Sequence, residues 1–394
     1  MRYAPVTDRL AGLGGAKWQI HARARAMKHA GEQVIELTIG EPDVPTPPEL
    51  IETAARAMED GRTGYSNGHG EAGLLRALAA RYTARRGRAF GPDNIMTLPG
   101  TQTTLFAVLS ALVTDGDEVL LGDPLYATYE GLVASTGATL VRVPLRPENG
   151  FRMTVADVAA RITPRSRVLF LNTPHNPTGA VLRRDEIAAL GELARAHDLW
   201  ILSDEVYEEL VFDNVAFASP LDFAELAERT IVACSISKSH AAPGFRSGWC
   251  VGPVEFIRRL LPLSETMLFG SQPFIADMTA VAVAEPSAVA EGMRARFAHR
   301  AAMIAGRLQG VAGLRVHQPE AGMFALIDVR ATGLSGEAFA LALLEEEKVA
   351  VMPGESFGTT LQGWLRVSLT QPDALIALAC DRIAAFAARQ ETKA

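Results

Sequence analysis

The sequence predicts an α/β protein, a mostly parallel sheet covered by helices on both faces and followed by a smaller α+β segment. Three observations support this. Short apolar runs alternate with helical patterns through the first two thirds of the chain. Those runs are apolar on both sides, as strands buried on two faces must be. Polar and aromatic residues then cluster just where the runs stop.

The elements follow in order. "GEQVIELTIG" reads as a short strand, and "EPDVPTPPEL" as a turn-rich connector that opens a helix. "ELIETAARAMEDG" and "EAGLLRALAARYTARR" read as helices, the second with Leu74, Leu75, Leu78 and Ala79 on its apolar side. "NIMTLPG" is a strand ending at a glycine, and "TQTTLFAVLSALV" is the helix after it. "DEVLLGD", "ATLVRVPL", "SRVLFLNTP", "LWILSDEVY" and "RTIVACSIS" are further strands between helical stretches. After about Gly252 the rhythm changes to long helical patterns such as "AVAEGMRARFAHRAAMIAGRLQG". Hairpin-like strands in "LRVHQPEAGMFALIDV", the helix "GEAFALALLEEEK" and the strand "GWLRVSLT" complete this second segment. The division between the two is expected inside a long helix.

At 394 residues the chain is too long for one ordinary core. Its 48% hydrophobic and 21% charged residues are those of a globular protein, and the net charge of −7 argues against a nucleic-acid surface. Cys234, Cys250 and Cys380 are odd in number and set in apolar sequence, which suits buried thiols in a reducing compartment. The start "MRYAPVTDRLAG" lacks an apolar leader core, and no stretch reaches membrane-span length, so a cytoplasmic location without membrane or nucleic-acid partners is expected. No metal site is expected.

Ligands bind at the carboxyl edge of a parallel sheet, and the strand ends here read "LPGTQ", "GDPLY", "NTPHNPTG", "SDEVY" and "SISKS". Lys238 follows an apolar strand and stands among Ser235, Ser237 and Ser239, with Arg246 beyond the Pro243-Gly244 turn. Alone it reads equally as a surface charge at a strand end. A partly desolvated lysine near another cation is also a Schiff-base nucleophile, and a serine and an arginine beside it suit a phosphate monoester. Gly100, Thr101 and Gln102 open a helix whose free N–H groups suit the same anion, or Thr101 merely caps it. Asp204 ends an apolar strand, as a turn cap or as the partner of a protonated ring nitrogen. Tyr207 and Asn176 could hydrogen-bond a phenolate oxygen, and Tyr126 could stack on a flat ring; each also has an ordinary core or turn reading. Phosphate, pyridinium, phenolate and carbonyl carbon together describe pyridoxal 5′-phosphate.

In order, "IGEPD", "NPTG", "SDEVY", "SISK" with "GFRSGW", and "LRVSL" resemble the class I/II aminotransferases, the aspartate aminotransferase superfamily of fold type I, from about Trp18 to Leu369. The resemblance implies a seven-stranded, mostly parallel sheet. It also implies an arm and part of the small domain in 1–45, a large cofactor-binding domain in 46–285, and a small domain in 286–394. Lys238 would hold the cofactor and shuttle the proton, and Asp204 would pair with the pyridinium. Tyr207 and Asn176 would bond its phenolate oxygen, and Tyr126 would stack on it. Gly100, Thr101, Gln102, Ser235 and Arg246 would hold the phosphate. Arg366 would clamp the substrate carboxylate, with Gly40, Asn176 and Trp18 also against substrate. In a homodimer with shared sites, Tyr65 would reach the partner's phosphate. Pro243 and Phe245 depart from the family's usual Thr and Trp, and Pro99 stands where a donor-bearing residue is common.

The stretches "AKWQIHARARA" and "NTPHNPTGAV…AHDLWILSDEVY" are similar to those of bacterial arginine–pyruvate transaminases, although no guanidinium-binding carboxylate is identifiable. The expected activity is amino transfer from an L-α-amino acid to a 2-oxo acid, with arginine and pyruvate as one pair and aspartate, aromatic or alanine-type donors as others. A C–S β-lyase on the same fold is the alternative. A non-catalytic regulator is disfavoured by the presence of both Lys238 and Asp204.

Overall fold

The structure is a computed structural model that describes residues 1–13 and 16–391. In chain order its strands are β1 (Ile35–Glu36), β2 (Ile95–Leu98), β3 (Glu118–Asp123), β4 (Thr139–Pro144), β5 (Ser166–Asn172), β6 (Trp200–Asp204), β7 (Thr230–Ser235), β8 (Gly248–Val251), β9 (Arg315–His317), β10 (Phe324–Asp328), β11 (Val349–Ala350), β12 (Met352–Pro353) and β13 (Trp364–Ser368). The large sheet has the order β2-β8-β7-β6-β5-β3-β4. β8 runs antiparallel to both neighbours, and the other pairs are parallel. The carboxyl ends of β2, β3, β5, β6 and β7 therefore share one edge.

Alternation along the strands supplies two cores. Ile231 and Ala233 of β7, and Val168 and Phe170 of β5, face Leu105, Val108 and Leu109 of the helix Gly100–Leu112 and Leu260 of Val254–Leu268. Val232 and Cys234 face the opposite way, toward Leu50, Leu78 and Met278 of the helices Pro48–Glu59, Ala72–Arg86 and Pro273–Ala284. On that side of β5 and β6, Leu169, Leu171 and Ile201 meet Ile187 and Leu190 of Arg184–Ala196. Each Leu, Ile or Val so buried contributes about 1.5–3 kcal/mol. A period of two on strands with helices on both sides is what reads in sequence as a continuous apolar run.

The smaller sheet, β12-β13-β10-β9, is antiparallel. The N-terminal segment joins it: β1 pairs in parallel with β11, Ile35 opposite Val349. Ile20, Ala24 and Met27 of the helix Gln19–His29 share one core with Phe297 and Ile304 of Ala288–Leu308 and with Ile383 and Phe386 of Asp373–Glu391. The long helical stretch after Gly252 is interrupted near residue 285. One helix ends at Ala284, Glu285 is extended before Pro286, and the Ser287 hydroxyl accepts from the Ala290 N–H to start the next. All three cysteines are buried and free. Among the described residues no helix is long and apolar enough to cross a membrane.

Candidate active site

A cavity of about 230 Å³ lies over the carboxyl edge of the large sheet, walled on its far side by the smaller unit. Lys238, Asp204, Tyr207, Thr101, Gln102, Tyr126, Asn176, Ser235, Arg246, Gly40, Trp18 and Arg366 line it. The strand ends of β6 and β7 bring in Asp204 and Ser235, β13 brings Arg366, and the loop after β1 brings Gly40.

Lys238 stands not at the strand end but inside a four-residue helix, Ile236–Ser239, which Ser235 starts by accepting from the Ser237 N–H at 3.3 Å. This turn folds the side chain back over the sheet edge. Its Nζ donates to the Gly40 carbonyl at 2.7 Å. Burial, opposed by Glu41 and helped by Arg366 and Arg246, brings the amine down to about 8. Roughly a tenth of it is then neutral at pH 7, far more than for an ordinary lysine, as suits a nucleophile or proton carrier.

One end of the cavity is built for an anion. The helix Gly100–Leu112 points its free N–H groups there, and the Thr101 hydroxyl is buried without a hydrogen-bond partner among the described residues. Arg246, in the left-handed region at φ 51, reaches back to the same place, its Nη1 donating to the Pro243 carbonyl at 2.8 Å. Gly100 has φ +76, and a Cβ there would stand 2.3 Å from the Arg246 Nη2. Only glycine admits the guanidinium at this distance. Gln102 is exposed and accepts from the Thr128 hydroxyl at 2.9 Å.

The floor is a carboxylate among phenols. Asp204 is buried, and burial raises its carboxyl to about 6 against the opposing hydrogen bonds from Tyr129 and the Val206 N–H. The Tyr129 hydroxyl donates to Asp204 Oδ2 at 2.6 Å. Tyr207 is pushed upward by burial, eased slightly by the Asn176 side chain beside it. Asn176 is itself set by its N–H, which donates to Asn172 Oδ1 at 2.9 Å. Tyr126 stands edge-on to Tyr129, with ring centroids 5.5 Å apart.

Arg366, from β13, also lines the cavity and is 1% exposed. Its guanidinium lies 3.8 Å from the Phe324 ring centroid and 4.3 Å from that of Phe357. Nη1 donates to Asn176 Oδ1 at 3.1 Å and Nη2 to the Thr38 carbonyl at 2.7 Å, while Nε is buried with no partner among the described residues. Two aromatic faces leave its in-plane edge for polar contact, and burial lowers it to about 10. A cation so desolvated, with a donor to spare, is matched by a carboxylate. A Cβ at Gly40 would fall 2.2 Å from the Phe324 ring, so the glycine lets this wall close.

Tyr65 is the exception. It is 92% exposed, edge-on to Phe269 at 5.2 Å, and it lines a separate surface depression with Ser66 and Gly270. Sequence reasoning missed Tyr129, Phe324 and Phe357. Tyr129 had a signal, a second phenol three residues after Tyr126. The two phenylalanines had none, because stacking on Arg366 depends on contacts distant in sequence.

A buried carboxylate, an amine of lowered basicity and two arginines lining one cavity suit a flat cofactor with a phosphate, together with a substrate carboxylate. The unpartnered Thr101 hydroxyl and Arg366 Nε fit those two anions.

The sequence matches the family described as Aminotransferase class I and II over residues 32–383. It is 42% identical to the arginine–pyruvate transaminase AruH of Pseudomonas aeruginosa over 388 residues, 98% of each chain. It is 35% identical to the aspartate/prephenate aminotransferase of Cereibacter sphaeroides, over 93% of this chain and 94% of that one. Its fold is similar to a Thermus thermophilus aspartate aminotransferase double mutant, with a TM-score of 0.92 and 30% identity over 98% of this chain and 100% of the other.

Proposed function

The chain belongs to the class I and II aminotransferases, and we propose that it binds pyridoxal 5′-phosphate in the cavity at the sheet edge and moves the amino group of L-arginine to pyruvate. The observation that carries the cofactor reading is Lys238, an amine brought down to about 8 between an anion pocket and a buried carboxylate. The donor and acceptor rest on the similarity to the Pseudomonas transaminase.

The residues divide the work by position. Gly100, Thr101, Ser235 and Arg246 hold the phosphate, with Gln102 at its rim, and Tyr126 lies against the ring. Asp204 holds a proton on the ring nitrogen, and the ion pair so formed relieves its burial. Tyr207 and Asn176 bond the phenolate oxygen. Arg366 orients the substrate carboxylate in a two-point contact beside Asn176 and Gly40, so that the Cα–H faces Lys238. The chemistry supplied by the bound cofactor is an electron sink that acidifies this Cα–H. Lys238 Nζ takes the proton and carries it along the same side of the cavity. Trp18 and the Phe324 wall exclude water from that transfer.

The acting form is a homodimer, in which the exposed Tyr65 reaches the partner's phosphate. Residues 46–285 form the cofactor-binding domain, and 1–45 with 286–394 the smaller one. Three buried free cysteines favour the cytoplasm.

The test mixes the cofactor-loaded protein with single amino acids and no 2-oxo acid. Arginine should discharge the visible absorbance rapidly with stoichiometric oxo acid, and pyruvate should restore it with formation of alanine. Reaction with aspartate but not arginine would sink the donor assignment. Repeated release of ammonia and pyruvate from cystathionine without an acceptor would identify the lyase chemistry instead.

A further inference from the structure

The segment Asp204–Leu210 presents two faces. Asp204 and Tyr207 line the cavity, while Glu205, Glu208 and Glu209 turn the other way and are buried. There they meet Arg81, Arg85 and Arg86 from the last turns of the helix Ala72–Arg86. Arg86 Nη2 donates to Glu208 Oε2 at 2.8 Å and to Glu205 Oε2 at 3.3 Å. Arg81 Nη2 donates to Glu208 Oε1 at 3.3 Å and also to Glu209 Oε1. Arg85 Nη1 reaches Glu208 Oε1 at 3.1 Å, and Arg86 Nη1 contacts Asp222 at 3.5 Å. The other Glu205 oxygen accepts from the hydroxyls of Ser219 at 2.7 Å and Ser203 at 3.0 Å. Nothing in the reaction uses these groups.

Buried ion pairs are weak sources of stability, because desolvation offsets most of the attraction, but breaking one partner leaves a charge stranded. Such a cluster fixes geometry more than it adds free energy. The backbone between the carboxylates is short and tight. The Glu208 N–H donates to the Glu205 carbonyl at 2.9 Å, and the Leu210 N–H to that of Tyr207 at 2.8 Å. A shift of Glu205 or Glu208 therefore moves Asp204 and Tyr207 with it.

We infer that the arginine–glutamate cluster around Arg86 and Glu208 is a positioning device, which sets Asp204 and Tyr207 against the cofactor from behind the sheet edge. Arg86 and Glu208 are positioning residues of the amino-transfer reaction. This rests on the cofactor reading above, since Asp204 and Tyr207 act through the ring they hold.

The experiment compares the cofactor-loaded wild type with Arg86→Lys and Glu208→Gln, two variants of different chemistry in case one does not fold. The pH midpoint of the visible absorbance change and the kinetic constants are measured, with kcat normalised to bound cofactor. The midpoint should move by about half a unit or more, because the ring's hydrogen-bond partners have shifted. The normalised kcat should fall about tenfold while KM for the donor stays within about twofold, the signature of misplaced groups rather than lost binding. If both variants are less stable but keep the wild-type midpoint and normalised kcat, the cluster is structural and the inference is wrong. A wild type with no visible band after loading would overturn the cofactor reading itself, a distinct result.

Discussion

Asp204, at the end of β6, accepts from Tyr129 and the Val206 N–H but has no salt-bridge partner among the described residues. Its carboxyl titrates near 6 in the folded chain, against 3.8 as the ordinary value. The folded state thus binds more protons than the unfolded one between those pH values, and stability falls as pH rises through that window. Above it the apoprotein is left with a destabilised carboxylate. Asp204→Asn removes that ionisation while its amide oxygen still accepts from the Val206 N–H and its Nδ2 donates to the Tyr129 hydroxyl, so the cofactor-free variant should be more stable than wild type at pH 7.5 by roughly 2–3 kcal/mol. Chemical denaturation of both apoproteins measures this, and equal midpoints and slopes would contradict the burial argument. Loaded with cofactor, the variant should lose most of its activity. The identity of Asp204 was legible because an acid ending an apolar strand needs a reason. Its bond to Tyr129 was not, since a helix start 75 residues upstream has to fold onto β6 to make it.

The loop between β1 and the helix Pro48–Glu59 shows how an element can be held by charges from elsewhere. Asp43 receives both Arg296 Nε and Nη2 at 2.9 Å, and Arg300 Nη1 at 2.7 Å, from one face of the helix Ala288–Leu308. Arg300 also bonds Asp373 at 2.7 Å and the Leu369 carbonyl at 2.9 Å. Gly40, which accepts from Lys238, lies three residues before this anchor. Asp43→Asn removes one of the two carboxylates on the buried Arg300, leaving Asp373 as its counter-ion, and should cost about 1–3 kcal/mol. Because the loop borders the substrate position, it should also raise KM for the amino donor more than it lowers kcat. Urea denaturation and steady-state kinetics read the two effects, and an unchanged KM in a destabilised variant would confine Asp43 to stability. At this scale β2 to β7, β10 and β13 were readable from period, while the short β8, β11 and β12 were not. What periodicity could not give is the reversal of β8, the break at Glu285–Ser287 as opposed to a continuous helix, and the pairing of β1 with β11 over 300 residues away. Each depends on long-range partners that a local window does not contain.

Across the whole molecule the cavity is assembled from segments as far apart as Trp18 and Arg366, and one expected member is absent from it within a single chain. Tyr65 is almost fully exposed and leans on Phe269, itself 63% exposed, so two aromatic rings face outward beside the loop 66–70. An exposed aromatic pair is a costly surface for a monomer and an economical one for a subunit interface. If Tyr65 completes the site of a second copy, defects in Tyr65 and Lys238 fall on different chains and can be separated. Tyr65→Ala and Lys238→Ala should each be deeply impaired as pure proteins. After mild dissociation and remixing in equal amounts, half of the dimers are hybrids. In each hybrid one site carries both defects and the other carries neither, which should restore about a quarter of wild-type activity. If Tyr65 instead served its own chain, every hybrid site would keep one defect and remixing would restore nothing. The recovered rate therefore reads out which subunit the tyrosine works for, and a mixture no more active than the sum of its parts would remove Tyr65 from the partner's site.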